Sequence, residues 1–161
     1  MPFEPSDTKV VTLDQAMAWR AVRIGRLVLT NGVFDLLHRG HVDYLEAARA
    51  LGEHLLVAVN GDESARRLPK GRGRPFVAAA DRARVLASLA AVDRVVLFDE
   101  PTPDRVIRAL RPDVLVKGGD YARDTIVGAD FVESTGGRVA IIPLVPGQST
   151  TTIVERIRGA R

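Results

Sequence analysis

The sequence predicts a doubly wound α/β domain built on a five-stranded parallel sheet, and three observations carry that expectation. Short runs dominated by Val, Leu and Ile recur at Arg26–Thr30, His54–Asn60, Arg94–Phe98, Asp113–Lys117 and Arg138–Pro143. None alternates cleanly between apolar and polar residues, which is how strands covered on both faces read. Helical patterns fall between these runs, and strands alternating with helices build a parallel sheet. Turns rich in Gly, Asn and Asp come just after the strands: Asn31-Gly32, Asn60-Gly61-Asp62 and Lys117-Gly118-Gly119-Asp120. In such sheets ligands bind beyond the carboxyl ends of the strands, near the point where strand order reverses.

The elements follow in order. The first dozen residues read as loose. Leu13–Val22 fits a short amphipathic helix, with Thr12 or Asp14 as its cap. After the first strand, His41–Leu51 sets Val42, Leu45 and Ala48 three apart, and Gly52 is a natural stop. The second strand leads into a loop rich in Gly, Pro and cations, Arg66–Pro75. Asp81–Ala90 is rich in Ala, Leu and Arg and predicts the next helix. Pro103–Leu110 predicts another, with Thr102 as N-cap and Pro103 at the first helical position. Thr150–Arg158 closes the chain as a helix. With no repeat, low-complexity tract or linker, 161 residues predict a single domain: an extension over 1–25 and a catalytic core over 26–158.

Composition narrows the function classes. There are no cysteines, so disulfides and thiolate metal sites are excluded and a cytoplasmic location is the default. Glu4 and Asp7 sit in a start without an apolar run, so no signal peptide is expected. The most apolar stretch, Val85–Phe98, is broken by Asp93 and Arg94, so no membrane span is expected. The net charge is only +3, with no basic run and few aromatics, which argues against nucleic acid as a partner. An Arg-rich solvated surface explains that charge, and so does a positive field around an anionic substrate.

The densest cluster of chemically capable residues is Thr30-Asn31-Gly32-Val33-Phe34-Asp35-Leu36-Leu37-His38-Arg39-Gly40-His41, between the first strand and a helix. Gly32 and Gly40 permit close backbone approach to a ligand. With a helix beginning near Gly40, the imidazoles of His38 and His41 face its N-terminus. There the free N–H groups and the positive end of the dipole favour phosphate. Donors converging on a phosphate chain suit nucleotidyl transfer, whose charged transition state is stabilised without a protein nucleophile. Two other readings stand beside this one. A zinc site needs a third ligand, and the remaining histidine, His54, lies at a strand start. The pair could also be surface histidines brought together by chance.

That stretch resembles the TxGxFDxxHxGH motif of the cytidylyltransferase-like nucleotidyltransferases, whose fold is Rossmann-like. Val59-Asn60-Gly61-Asp62, Lys70-Gly71-Arg72-Gly73-Arg74-Pro75, Asp81-Arg82, Leu115-Val116-Lys117-Gly118-Gly119-Asp120-Tyr121 and Ser149-Thr150-Thr151 follow in the order of the ADP-heptose synthase branch. The resemblance spans about Leu27 to Ile157. It implies an adenylyltransferase that moves AMP from ATP to D-glycero-β-D-manno-heptose 1-phosphate, releasing pyrophosphate, for lipopolysaccharide or another surface glycan. Other readings are CTP- or GTP-dependent transfer to a different acceptor, such as glycerol 3-phosphate or an α-anomer heptose 1-phosphate, and a non-catalytic nucleotide-binding module.

The resemblance also implies roles. His38, His41 and the loop lysine Lys70 would be catalytic. Thr30, Asn31, Gly32, Phe34, Asp35, Gly40, Ser149, Thr150 and Thr151 would bind the nucleotide, with Asp35 alternatively bracing its loop. Asn60, Asp62, Arg74, Lys117, Gly118, Gly119 and Asp120 would face the acceptor, and Lys117 would neutralise its phosphate. Arg82 is a further candidate, or a helix-surface residue. Mg²⁺ would be chelated mainly by the ATP triphosphate, with no protein metal ligand expected. The superfamily implies a homodimer. Val33 and Gln148 depart from the branch pattern and leave the exact sugar open.

Overall fold

The computed structural model describes residues 3–69 and 73–160. Among them, one sheet holds β1 (Val10–Val11), β2 (Leu27–Gly32), β3 (His54–Asn60), β4 (Arg94–Phe98), β5 (Val114–Gly118) and β6 (Arg138–Ile142). Their order is β1-β4-β3-β2-β5-β6, and every pairing is parallel. The expectation of five strands is thus corrected to six. The added strand, β1, is two residues long, too short to leave a periodic signal. It pairs Val10 with Val95 and Val11 with Val96, so the N-terminal extension supplies one edge of the sheet.

The helices are α1 (Leu13–Ala21), α2 (Arg39–Arg49), α3 (Asp62–Arg66), α4 (Ala79–Ala87), α5 (Asp104–Leu110), α6 (Ala129–Ser134) and α7 (Thr150–Gly159). At α1 the cap is Thr12, not Asp14. Its hydroxyl accepts from Gln15 N–H at 3.2 Å, and the Gln15 side chain accepts from Thr12 N–H at 2.8 Å. A capping box of this kind contributes about 1 kcal/mol. Pro103, expected as the first residue of α5, is its N-cap instead. The helices α3 and α6 are five and six residues long, below the length at which apolar spacing separates helix from loop.

Alternation along the buried strands splits the core into two layers. Val28, Leu55, Val57 and Val59 point to the face covered by α2 and α4, where they meet Leu45, Ala48, Ala83 and Leu86. Leu27, Leu29, Leu56 and Ala58 point the other way, toward Ala16 of α1, Val106 and Ile107 of α5 and Val132 of α6. Each such Leu or Val contributes roughly 1.5–3 kcal/mol on burial. Arg20 of α1 pairs with Asp113 at 2.8 Å, and the same carboxylate accepts Leu27 N–H at 2.7 Å. The extension is therefore fastened to the start of β2. No helix among the described residues is long and apolar enough to cross a membrane.

The strand order places the site. From β2 the chain steps outward through β3 to β4, then returns to lay β5 on the other side of β2. The loops leaving β2 and β5 diverge, and the crevice between them is the topological switch point of the sheet.

Candidate active site

The loop from β2 to α2 is shaped by its own backbone. Phe34 adopts φ 52°, a left-handed conformation that costs a non-glycine residue on the order of 1–3 kcal/mol. Asp35 accepts N–H bonds from Phe76 (2.8 and 3.0 Å) and Val77 (3.0 Å), which pins the turn to the segment ahead of α4. His38 is the N-cap of α2, and its Nδ1 accepts from Gly40 N–H at 3.1 Å. His41 Nδ1 in turn accepts from His38 N–H at 3.3 Å. Since both Nδ1 atoms accept, each neutral ring carries its proton on Nε2, and the site holds two N–H donors of fixed tautomer.

The two rings lie 4.0 Å apart between centroids, and the Phe34 ring sits 5.6 Å from that of His41. Burial, with the neighbouring His38 second, pulls the His41 pKa down to about 4. Burial also lowers that of His38. Both imidazoles are therefore neutral near pH 7. Gly40 is required by the His38 ring and Gln148: a Cβ there would lie 2.9 Å from His38 Cε1 and 3.1 Å from Gln148 Cβ.

Two cavities flank the segment Asn31-Gly32-Val33. The first, of ≈ 260 Å³, lies over the start of α2 and includes Phe34, His38, Gly40, His41, Tyr44 and Gln148. The second, of ≈ 480 Å³, includes Asn60, Lys117, Thr102, Tyr121 and prolines 69, 101 and 103. Lys117 crosses the switch point to donate to Asn31 Oδ1 at 2.6 Å. Burial pulls its pKa down to about 8.

Nine of the nineteen residues expected at the site line the two cavities. Asn31, Gly32, Phe34, His38, Gly40, His41 and Gly118 line the first cavity, and Asn60 and Lys117 line the second. Thr30 requires a correction as a nucleotide contact. It is wholly buried, and its hydroxyl is spent on Tyr44 Oη (2.6 Å) and the Val116 carbonyl (3.1 Å). Asp35 takes the bracing role. Asp62 is paired with Arg82 at 2.9 Å, where it lines neither cavity. Arg82 is not on a helix surface: it is 2% exposed.

Gly119 and the exposed Asp120 line neither cavity. Ser149 caps α7 by accepting Thr152 N–H at 3.0 Å, Thr150 donates to the Leu36 carbonyl at 3.1 Å, and Arg74 reaches Thr151 Oγ1 at 3.4 Å. These hydroxyls border the first cavity through Gln148 rather than line it. Lys70 lies outside the described residues. The sequence reading missed Tyr44, Leu144 and Val145 in the first cavity and Thr102 in the second. Val33, Leu68, Pro69 and Tyr121 line a cavity and lie within stretches that the sequence marks for other reasons.

A family model described as cytidylyltransferase-like matches residues 29–156. The chain is 54% identical over 155 residues to the bifunctional protein HldE of Koribacter versatilis (strain Ellin345), covering 94% of this chain and 32% of that protein. It is 53% identical over 156 residues to the bifunctional protein HldE of Geotalea uraniireducens (strain Rf4), covering 95% and 32%. The chain thus spans about a third of the length of these relatives. Among solved structures, a lipopolysaccharide core biosynthesis protein from Thermoplasma volcanium GSS1 superposes with a TM-score of 0.63 at 27% identity, covering 76% of this chain and 98% of that one. The motif, the switch-point site and a family match over most of the sequence agree: the chain belongs to the cytidylyltransferase-like family.

Proposed function

We propose that this chain transfers AMP from ATP to a heptose 1-phosphate, giving an ADP-heptose and pyrophosphate. One observation carries the reading: two imidazole Nε2–H donors of fixed tautomer stand at the start of α2, and a cationic cavity adjoins them across a shared backbone ridge. In the reaction, a phosphate oxygen of the acceptor attacks the α-phosphorus of ATP. The bond from that phosphorus to the bridging oxygen breaks, and pyrophosphate leaves with the electron pair. No protein nucleophile is needed. His38 and His41 supply donors to oxygens that gain charge, where low dielectric makes them most effective.

The first cavity is smaller than the roughly 300–1,000 Å³ usual for a small-molecule site, so a nucleotide seated there extends beyond it. Gln148 leads from it to the start of α7, where Ser149 and Thr151 offer hydroxyls to the outer phosphates and Thr150 would join them on leaving the Leu36 carbonyl. Lys117, with Asn60, faces the acceptor. Imidazole and ammonium donors suit phosphate oxygens rather than a cation. A magnesium ion would accordingly be held by the triphosphate and water, where it would neutralise the departing pyrophosphate. The relatives support the sugar branch: they share more than half their residues with this chain over the matched region, and the Thermoplasma protein is described by its part in lipopolysaccharide core biosynthesis.

The test is pyrophosphate release by purified protein with Mg²⁺, pairing each NTP with D-glycero-β-D-manno-heptose 1-phosphate and with glycerol 3-phosphate. Turnover with ATP and the heptose phosphate is expected. Turnover confined to CTP, or to glycerol 3-phosphate, would keep the histidine chemistry and overturn the substrate assignment.

A further inference from the structure

Among the described residues Arg82 is the largest fully buried side chain, and it lines neither the histidine cavity nor the lysine cavity. Its fork donates in four directions. Nε reaches the Val77 carbonyl (2.8 Å), Nη1 the carbonyls of Val33 (2.6 Å) and Asn60 (2.8 Å), and Nη2 Asp62 Oδ1 (2.9 Å). These acceptors sit on three separate pieces of chain: the ridge after β2, the link from the end of β3 to the start of α3, and the approach to α4. Two of them are cavity walls. Val33 lines both cavities and Asn60 lines the second.

Val33 precedes Phe34, the left-handed residue whose ring lies against His41. Val77 is gripped on both sides, its carbonyl by Arg82 and its N–H by Asp35. Arg82 and Asp35 together close a ring of hydrogen bonds around the Val33-Phe34-Asp35 turn. A buried guanidinium is costly to desolvate, and an apolar side chain would fill the volume more cheaply. What the guanidinium adds is direction: several planar donors that fix separate segments at set distances.

We propose that Arg82 is a positioning residue: it holds the Val33 ridge, and through Phe34 the His41 ring, at the separation from the acceptor cavity that in-line attack requires. The proposal rests on the nucleotidyl-transfer reading. Its first test is Arg82→Lys, which keeps the charge and loses the fork. Steady-state kinetics are measured beside ¹H–¹³C spectra of the histidine Cε1 groups. The chain has three histidines, and His54 provides an internal control. It bonds Ile24 O at 2.9 Å and lies edge-on to Trp19, away from both cavities.

The Lys variant is expected to fold, to lose about tenfold to a hundredfold in kcat, and to change the nucleotide KM by less than about threefold. The His41 resonance should move while that of His54 stays. A kcat within about twofold of the parent overturns the proposal. So does a loss matching the folded fraction with the His41 resonance unmoved. If the Lys variant does not fold, Arg82→Met, which removes the buried charge, carries the same readouts. If neither folds, Arg82 is structural and the proposal falls. Should the parent protein transfer no nucleotide at all, a moved His41 resonance would leave the positioning intact and overturn only the reaction.

Discussion

The two cavities share Asn31, Gly32 and Val33 and differ in almost everything else. On the histidine side the volume is ≈ 260 Å³, and the donors are rings whose Nδ1 atoms are tied to backbone N–H groups of their own turn. On the lysine side the volume is ≈ 480 Å³, the walls include prolines, and the main cation is one long side chain tethered to Asn31. The difference is one of preorganisation. Charge that develops only in the transition state is best met by donors that need not move. A phosphate already charged in the ground state can be met by a flexible ammonium that adjusts to it. The histidine side should therefore govern kcat and the lysine side the acceptor KM.

The largest expected effect lies on the histidine side. His38→Ala should lower kcat by at least about a hundredfold, the usual cost of removing a transition-state donor, with nucleotide affinity weakened much less. Single-turnover rates and calorimetric titration with a nucleotide would measure the two separately. Equal losses in both would erase the division between the cavities. A smaller effect is expected from Lys117→Met: about tenfold in the acceptor KM, as for loss of one charge-assisted hydrogen bond, with the nucleotide KM unchanged. A matching rise in the nucleotide KM would place Lys117 on the nucleotide instead.

The contrast also separates what the sequence showed from what it hid. The β2 to α2 stretch was readable because its functional residues are contiguous and of unusual type: His38, Gly40 and His41 within four positions, straight after a β run. The second cavity was readable only in part. Lys117 and Asn60 stand at strand ends, but Thr102 and prolines 101 and 103 reach it through the fold, and the helix-start pattern at Thr102-Pro103 does not mark a ligand site. For Arg82 the sequence leaves site candidate and helix-surface residue both open, for a related reason. In an Ala- and Arg-rich helix one arginine looks like the next, and only tertiary packing selects the one that turns inward. Thr30 shows the converse case. It belongs to the motif, yet its pleat turns the hydroxyl toward Tyr44, beneath the site rather than into it. The extra strand β1 owes its existence to β4, since two residues cannot declare a strand alone.

The smallest expected effect is the absence of one, and it separates the cavities most sharply. In the free enzyme, which kcat/KM reports, burial and then His38 hold the His41 pKa at about 4, and burial lowers that of His38. Lowered histidines are neutral above their depressed values, so raising the pH from 7 to 9 removes no proton from either. Values of kcat/KM for the nucleotide should be flat across that range, with loss only on the acid side, where a proton on Nδ1 would meet the backbone N–H it now accepts. Lys117 behaves oppositely. Burial lowers its pKa to about 8, so it is charged below that pH and neutral above. Values of kcat/KM for the acceptor should fall as pH rises through about 8, and Lys117→Arg, whose guanidinium stays charged, should remove that alkaline limb. A nucleotide profile that fell on passing pH 7 would mean that an imidazolium, not a neutral ring, meets the phosphate. The backbone bonds that fix the two Nδ1 atoms would then have to break on binding.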